Sequence, residues 1–241
     1  MLTNNEREKI IEFLKNRMSN ICVDDFYIWY DEEGCECEGH YEDVAFYNCG
    51  ADTYNYGCSK LVLFYKELPH WVVKIPFLGE YYEDSESWRD FEYASLNNSY
   101  PIDNDNDYCA VEAYLTEESY HYGLEDMFAL TYFLTTINGV NIYISEKVEN
   151  NYYSMNRKSY KHANSASQAQ WLRDSYCKTN VEKYILTAAD LGFFIDEYGL
   201  SQTELLIAFL TDYSVEDLHH GNIGFDKYGR IKILDYSGFH N

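Results

Sequence analysis

Asp217 and Asn222 stand five residues apart, and Asp235 follows thirteen residues beyond Asn222. A carboxylate can orient an attacking hydroxyl or accept its proton. An amide oxygen and a second carboxylate are hard donors of the kind Mg²⁺ selects. Phosphoryl transfer asks for little else: a positioned nucleophile, a metal, and a cation on the phosphates. The closing segment of the chain therefore has the residue types for that chemistry.

These side chains need elements to position them. Asn222–Phe225 and Ile231–Leu234 read as short strands joined through Asp226-Lys227-Tyr228-Gly229, a hairpin that brings the ends of the motif together. Upstream, Lys60–Tyr65 and Trp71–Ile75 are strand-like and are linked by Glu67-Leu68-Pro69-His70. Phe128–Thr135 and Val140–Val148 form a further pair, turned at Ile137-Asn138-Gly139. Helical spacing marks Asn5–Met18 (Ile10, Ile11, Leu14, Met18), with Thr3, Asn4 or Asn5 as its cap. It also marks Tyr108–Tyr122, closed by Gly123. Residues 23–60 show no helical period and suit short strands and turns, and 78–107 read as a polar, acidic surface insertion. Asp103, Asp105 and Asp107 lack the glycine and glutamate offsets of a calcium loop, so they read as solvated. From the end of the Val140–Val148 strand to about 213 the chain is helical in character, with apolar runs at Tyr184–Ile195 and Glu204–Leu210.

Asp217-Leu218-His219-His220-Gly221-Asn222 resembles the Asp-x-His-x-Gly-Asn loop of the protein-kinase-like superfamily, in its aminoglycoside-phosphotransferase and atypical-kinase branch. The resemblance implies that Asp217 orients the acceptor and that Asn222 and Asp235 hold Mg²⁺. Val72-Val73-Lys74-Ile75 then resembles the strand whose lysine grips the nucleotide phosphates, which makes Lys74 that residue. Glu112 is the chosen ion-pair partner, with Glu117 and Glu118 as alternatives. Ser145-Glu146-Lys147-Val148 resembles a hinge in which the Glu146 carbonyl and Val148 amide meet adenine. Gly57 and Ser59 stand for the phosphate loop.

The chain departs from the pattern at named places. Gly50 and Gly57 are seven apart, without Gly-x-Gly-x-x-Gly, and Asp52 between them would repel a phosphate. Glu216 precedes Asp217, and Gly238 follows Asp235 by three residues rather than two. The sequence ends at Asn241, so the resemblance implies a truncated helical lobe.

The net charge of −23, from 18 basic and 41 acidic residues, opposes binding to nucleic acid or anionic membranes. It is compatible with a basic protein partner. No apolar run is long enough to span a bilayer, and Met1–Arg7 lacks a signal-peptide core, which predicts a cytoplasmic protein. The seven cysteines are an odd number, and the spacing of Cys35, Cys37, Cys49 and Cys58 does not make paired zinc knuckles; reduced thiols are expected.

The expected fold is α+β: a bilobal protein-kinase-like architecture with a strand-rich N-lobe over 1–148 and a truncated helical C-lobe over 149–241. The expected function is a kinase-like phosphotransferase of unknown acceptor, using ATP and Mg²⁺ between its lobes. The alternative is a catalytically degenerate kinase-fold binding protein, an acidic phage-type inhibitor that imitates nucleic acid toward a host defence nuclease.

Overall fold

A reciprocal cap opens the first helix of the computed structural model, which describes residues 2–57, 59–90, 107–149, 163–177, 186–213, 215, 218 and 220–236. The Glu6 amide donates to the Thr3 hydroxyl at 3.3 Å, and the Thr3 amide donates to the Glu6 carboxylate at 3.0 Å. This capping box starts α1 (Asn4–Arg17), whose buried side chains are Ile10 and Leu14. Contacts divide the chain into two units: residues 1–113 with 131–146, and residues 114–130 with 147–241.

The first unit is built on a five-stranded antiparallel sheet. Its strands are β2 (Thr53–Tyr56), β3 (Lys60–Phe64), β4 (Trp71–Pro76), β7 (Thr131–Ile137) and β8 (Val140–Glu146), in the order β2-β3-β4-β8-β7. The strands expected at 60–65, 71–75, 128–135 and 140–148 correspond to β3, β4, β7 and β8, with residues 128–130 and 147–148 falling outside the sheet. The β7–β8 turn uses Asn138 and Gly139 at φ 50° and 86°, the left-handed pair a tight hairpin requires.

Alternation gives this sheet two unlike faces. Leu61, Leu63, Val73, Ile75, Ile142 and Ile144 point to one side, where they join Leu14, Met18, Phe26, Tyr41 and Phe77 in the core. Lys60, Lys74, Tyr143, Ser145 and Thr131 occupy the other side by register. The beginning of α3 (Tyr108–Tyr122) supplies their partners. An alternating strand with lysines on one face ordinarily turns that face to water. Here both lysines are buried.

Two expectations for the first half are corrected. Residues 23–60 are not all strands and turns: α2 (Glu38–Asp43) runs on into a π-helical turn, Val44–Asn48. Burial of Tyr41, Val44, Ala45 and Cys49 holds this segment helical against a sequence with little helical period. Nor is 78–107 simply a polar insertion. β5 (Gly79–Tyr82) pairs with β6 (Ser87–Asp90) and lies parallel to β1 (Tyr27–Tyr30) in a second, three-stranded sheet. Its aromatic side chains pack across strands, Trp29 on Tyr81 at 4.2 Å and Tyr30 on Tyr82 at 5.0 Å between centroids.

Asp107 is corrected as well. It is 4% exposed and accepts bonds from the Tyr143 hydroxyl at 2.5 Å, the Ala110 amide at 2.9 Å and the Asn141 amide at 3.3 Å. Rather than a solvated loop residue, it fastens the start of α3 to β8. Asp103 and Asp105 lie outside the described residues.

The second unit holds α4 (Ala163–Cys177), α5 (Ala188–Tyr198) and α6 (Leu200–Asp212). Thr187 and Asp190 form the capping box of α5, and Gly199, at φ 84°, separates α5 from α6. The expected hairpin is present as β9 (Ile223–Phe225) and β10 (Ile231–Ile233), paired antiparallel. Asp226 accepts from the amides of Tyr228 and Arg230 at 2.8 and 3.0 Å and shapes its turn. No described helix is long and apolar enough to cross a membrane. Cys22, Cys35, Cys37, Cys49 and Cys109 are free thiols.

Candidate functional site

Lys74 reaches its position because β4 is central, flanked by β3 and β8, and its side chain leaves the sheet on the face that α3 crosses. Its ammonium donates to Glu112 Oε2 at 2.6 Å. Glu112 is fully buried, one turn into α3. The alternatives lie elsewhere: Glu117 is exposed, and Glu118 accepts the Tyr213 hydroxyl at 2.6 Å. Burial together with that bond raises the Tyr213 phenol well above its ordinary range.

Lys60 was missed from the sequence. Its ammonium donates to Glu112 Oε1 at 2.5 Å, so one carboxylate carries two lysines, one on each oxygen. Thr131 Oγ1 donates to Glu112 Oε2 at 3.0 Å and lies 3.1 Å from Ser145 Oγ. These charged side chains are almost closed to solvent, at 4%, 6% and 0% exposure for Lys60, Lys74 and Glu112. Poor screening of that kind makes each ionic contact count far more than a surface pair. A signal was available in the strand alternation, which puts Lys60 on the same face as Val62, directly opposite Lys74 in the next strand.

The loop before β3 is a tight turn in which the Gly57 amide donates to the Lys60 carbonyl at 3.2 Å. Ser59 is buried and Gly57 exposed. A Cβ added to Gly57 meets nothing within 4 Å, so neither packing nor backbone demands glycine there. Asp52 accepts from the Lys66 amide at 2.7 Å and pairs with the Lys66 ammonium at 3.0 Å. Those bonds hold its carboxyl below the usual range and direct it toward Lys66.

In the second unit the hairpin brings Asn222 and Asp235 toward one another along the chain direction. The Leu234 amide donates to the Asn222 carbonyl at 2.9 Å, extending the β9–β10 ladder by one pair. Asp235 therefore follows directly on the residue bonded to Asn222. Tyr236, next in sequence, is 1% exposed and packs on Phe128 at 5.0 Å between centroids. Its hydroxyl meets Thr116 Oγ1 at 2.7 Å and the Ala129 carbonyl at 3.1 Å.

The other expected residues fall as follows. Glu146 ends β8 opposite Trp71. Val148 lies against Gly224, where an added Cβ would meet Val148 Cγ1 at 2.5 Å and the Glu149 carbonyl at 2.8 Å. Glu149 and Phe225 exchange backbone bonds of 3.0 and 2.9 Å, which makes the segment after β8 a neighbour of the hairpin. Asp217, with Glu216 and His219, lies outside the described residues. Among the described residues no group of three or more His, Cys, Asp or Glu is placed to hold a metal. The Asn222 amide and Asp235 carboxylate are hard oxygen donors of the class Mg²⁺ takes, alongside phosphate and water.

No protein-family model, curated protein or solved structure matches this chain. What can be said of function therefore rests on the residues and their geometry.

Proposed function

We propose that this chain is a kinase-like phosphotransferase, a protein-kinase-like fold that uses Mg²⁺-ATP to phosphorylate a hydroxyl acceptor. The observation that carries the reading is the buried ion pair between Lys74 of β4 and Glu112 of α3, 2.6 Å long. A lysine on a central strand steadied by a helix glutamate is the arrangement that aims a cation at nucleotide phosphates. The hairpin adds its support by bonding Leu234 to Asn222 and so keeping two oxygen-donor side chains near one strand end. In this reading Lys74 and Glu112 serve the phosphates, Asn222 and Asp235 hold Mg²⁺, and Asp217 orients the acceptor. The Glu146 carbonyl and the Val148 amide meet adenine, and Gly57 and Ser59 border the phosphates.

The test is a thermal shift with Mg²⁺-ATP on the wild-type chain, followed by [γ-³²P]ATP transfer or hydrolysis. Ligand binding raises the melting temperature by mass action. Asp217→Ala and Asp235→Ala should abolish turnover. No shift at millimolar ATP would defeat the reading.

One observation favours a second reading: the −23 charge combined with a loop that lacks the glycine pattern of a phosphate cradle. Under it the chain is an acidic binding protein on the same fold, an inhibitor presenting a nucleic-acid-like charge to a basic host nuclease. Its binding would weaken steeply with salt and survive Asp235→Ala.

A further inference from the structure

We infer that Tyr122 and Glu118, one helical turn apart near the end of α3, form a docking point for an arginine side chain of a basic protein partner. The inference rests on the acidic-binding reading for the sign of the partner's charge. It adds the residues that meet the partner and the side chain they take.

Three observations converge on this face of the second unit. First, the pair is exposed yet held. Tyr122 is 37% exposed, and its ring meets Phe209 at 5.3 Å and Tyr213 at 6.3 Å between centroids, edge to face in both cases. Glu118 is half-buried and accepts the Tyr213 hydroxyl on Oε2 at 2.6 Å, and Tyr213 is braced in turn by Phe209 of α6 at 4.6 Å. Second, that bond uses one carboxylate oxygen of Glu118; among the described residues Oε1 accepts no bond. Third, Glu117 and Asp212 beside the pair in sequence are exposed, and neither 108–146 nor 184–226 contains a lysine or an arginine.

Elsewhere the chain fills the same arrangement of ring and carboxylate with its own arginine. Arg89 lies over Tyr82 at 5.2 Å, and the Tyr82 hydroxyl donates to Glu80. Arg230 lies over Tyr228 at 5.5 Å and pairs with Asp226 at 2.9 Å. Over Tyr122 no cation of the described residues is placed. A guanidinium is planar, so it can stack on the exposed ring while its N–H groups reach Glu118 Oε1; an ammonium lacks that shape. Because both anchors are already braced, little ordering is left to the moment of binding. Glu117 and Asp212 add a negative field that steers a basic segment toward the pair.

Fluorescence anisotropy of the full chain tests this, with a labelled Gly-Ser peptide carrying two arginines and its counterpart carrying two lysines. The salt is set at about 0.15 M, where distant exposed charges are screened. Wild type should bind the arginine peptide about threefold more tightly than the lysine peptide. Tyr122→Leu removes the ring but keeps an apolar contact, and Glu118→Gln still accepts from Tyr213. Each should weaken the arginine peptide about threefold and erase its advantage over lysine. Tyr122→Phe should keep the wild-type affinity. Glu8→Gln makes the same change in net charge as Glu118→Gln, at an exposed position on α1 of the first unit, and should leave the affinity as it was. Should either patch variant not fold, the other decides. Patch variants that behave as Glu8→Gln does, or equal affinity of wild type for the two peptides, overturn the inference while the acidic-binding reading stands. Wild type that binds neither peptide overturns both.

Discussion

The Tyr236 hydroxyl lies 2.7 Å from the Thr116 hydroxyl and 3.1 Å from the Ala129 carbonyl oxygen, with all three groups buried. The residue after Asp235 is thereby tied both to α3 and to the segment that leads into β7. Tyr236→Phe removes both bonds and leaves Thr116 Oγ1 without this partner. The expected cost is about 1–2 kcal/mol, or a melting temperature lower by about 2–8 °C. Thr116→Val should cost a similar amount, and the double variant less than the sum, because the bond between the two hydroxyls can be lost only once. Urea denaturation of the four proteins checks this.

Glu112 is the node of the buried charge cluster. Glu112→Gln leaves Lys60 and Lys74 on a neutral amide, and breaking a buried ion pair from one side costs about 3–5 kcal/mol. Replacing all three residues together (Lys60→Met, Lys74→Met, Glu112→Gln) should restore much of that stability, since neither ammonium of the cluster then remains. Equilibrium denaturation midpoints of the single and triple variants provide the comparison. A triple variant less stable than Glu112→Gln alone would contradict this account.

Gly224 is required by a close approach rather than by its backbone angle. A methyl group there would meet Val148 Cγ1 at 2.5 Å and the Glu149 carbonyl at 2.8 Å. Gly224→Ala should therefore cost about 1–3 kcal/mol, as overpacking does. Val148→Ala in the same chain should relieve only part of it, because the Glu149 backbone cannot yield as a side chain can. Thermal melts of the two variants test the order.

His40 predicts a pH dependence whose sign can be worked out. Its ring packs on Trp29 at 4.9 Å between centroids, and Nε2 donates to the Asp25 carbonyl at 3.0 Å. Burial lowers its pKa from 6.5, outweighing the pull of Asp25 and Asp43 toward the charged form. Below about pH 6.5 the unfolded chain binds a proton there that the folded chain resists, so stability rises with pH in that window. The contribution is complete above 6.5 and is lost as pH falls through it toward the lower folded value. His40→Gln should flatten the wild-type slope of folding free energy between about pH 5 and 7. An unchanged slope would show that His40 is not its source.

Local chemistry was legible where neighbours in sequence decide the outcome. A helix cap among Thr3, Asn4 and Asn5, the Asn138-Gly139 turn, the Gly123 stop and the Asp226-centred hairpin all follow from backbone angles and short-range hydrogen bonds. The helical state of 38–48 was not legible, because it depends on burying Tyr41, Val44 and Ala45 against residues distant in the chain.

The candidate site divides in the same way. Sequence alone set α1, α3 and the strands that carry Lys74 and Ser145, the spacing of Asp217, Asn222 and Asp235, and the hairpin that joins the last two. It also marked Lys74 as a cation in an apolar strand and Glu112 as a glutamate on the following helix. Tertiary structure alone decided that these two meet at 2.6 Å, that Glu118 is bound instead to Tyr213, and that Lys60 shares Glu112. The physical reason is register. A lysine's partner across a sheet depends on which strands pair, and on how far a helix 38 residues along slides over them. No local preference encodes that distance; burial of the opposite, apolar face does.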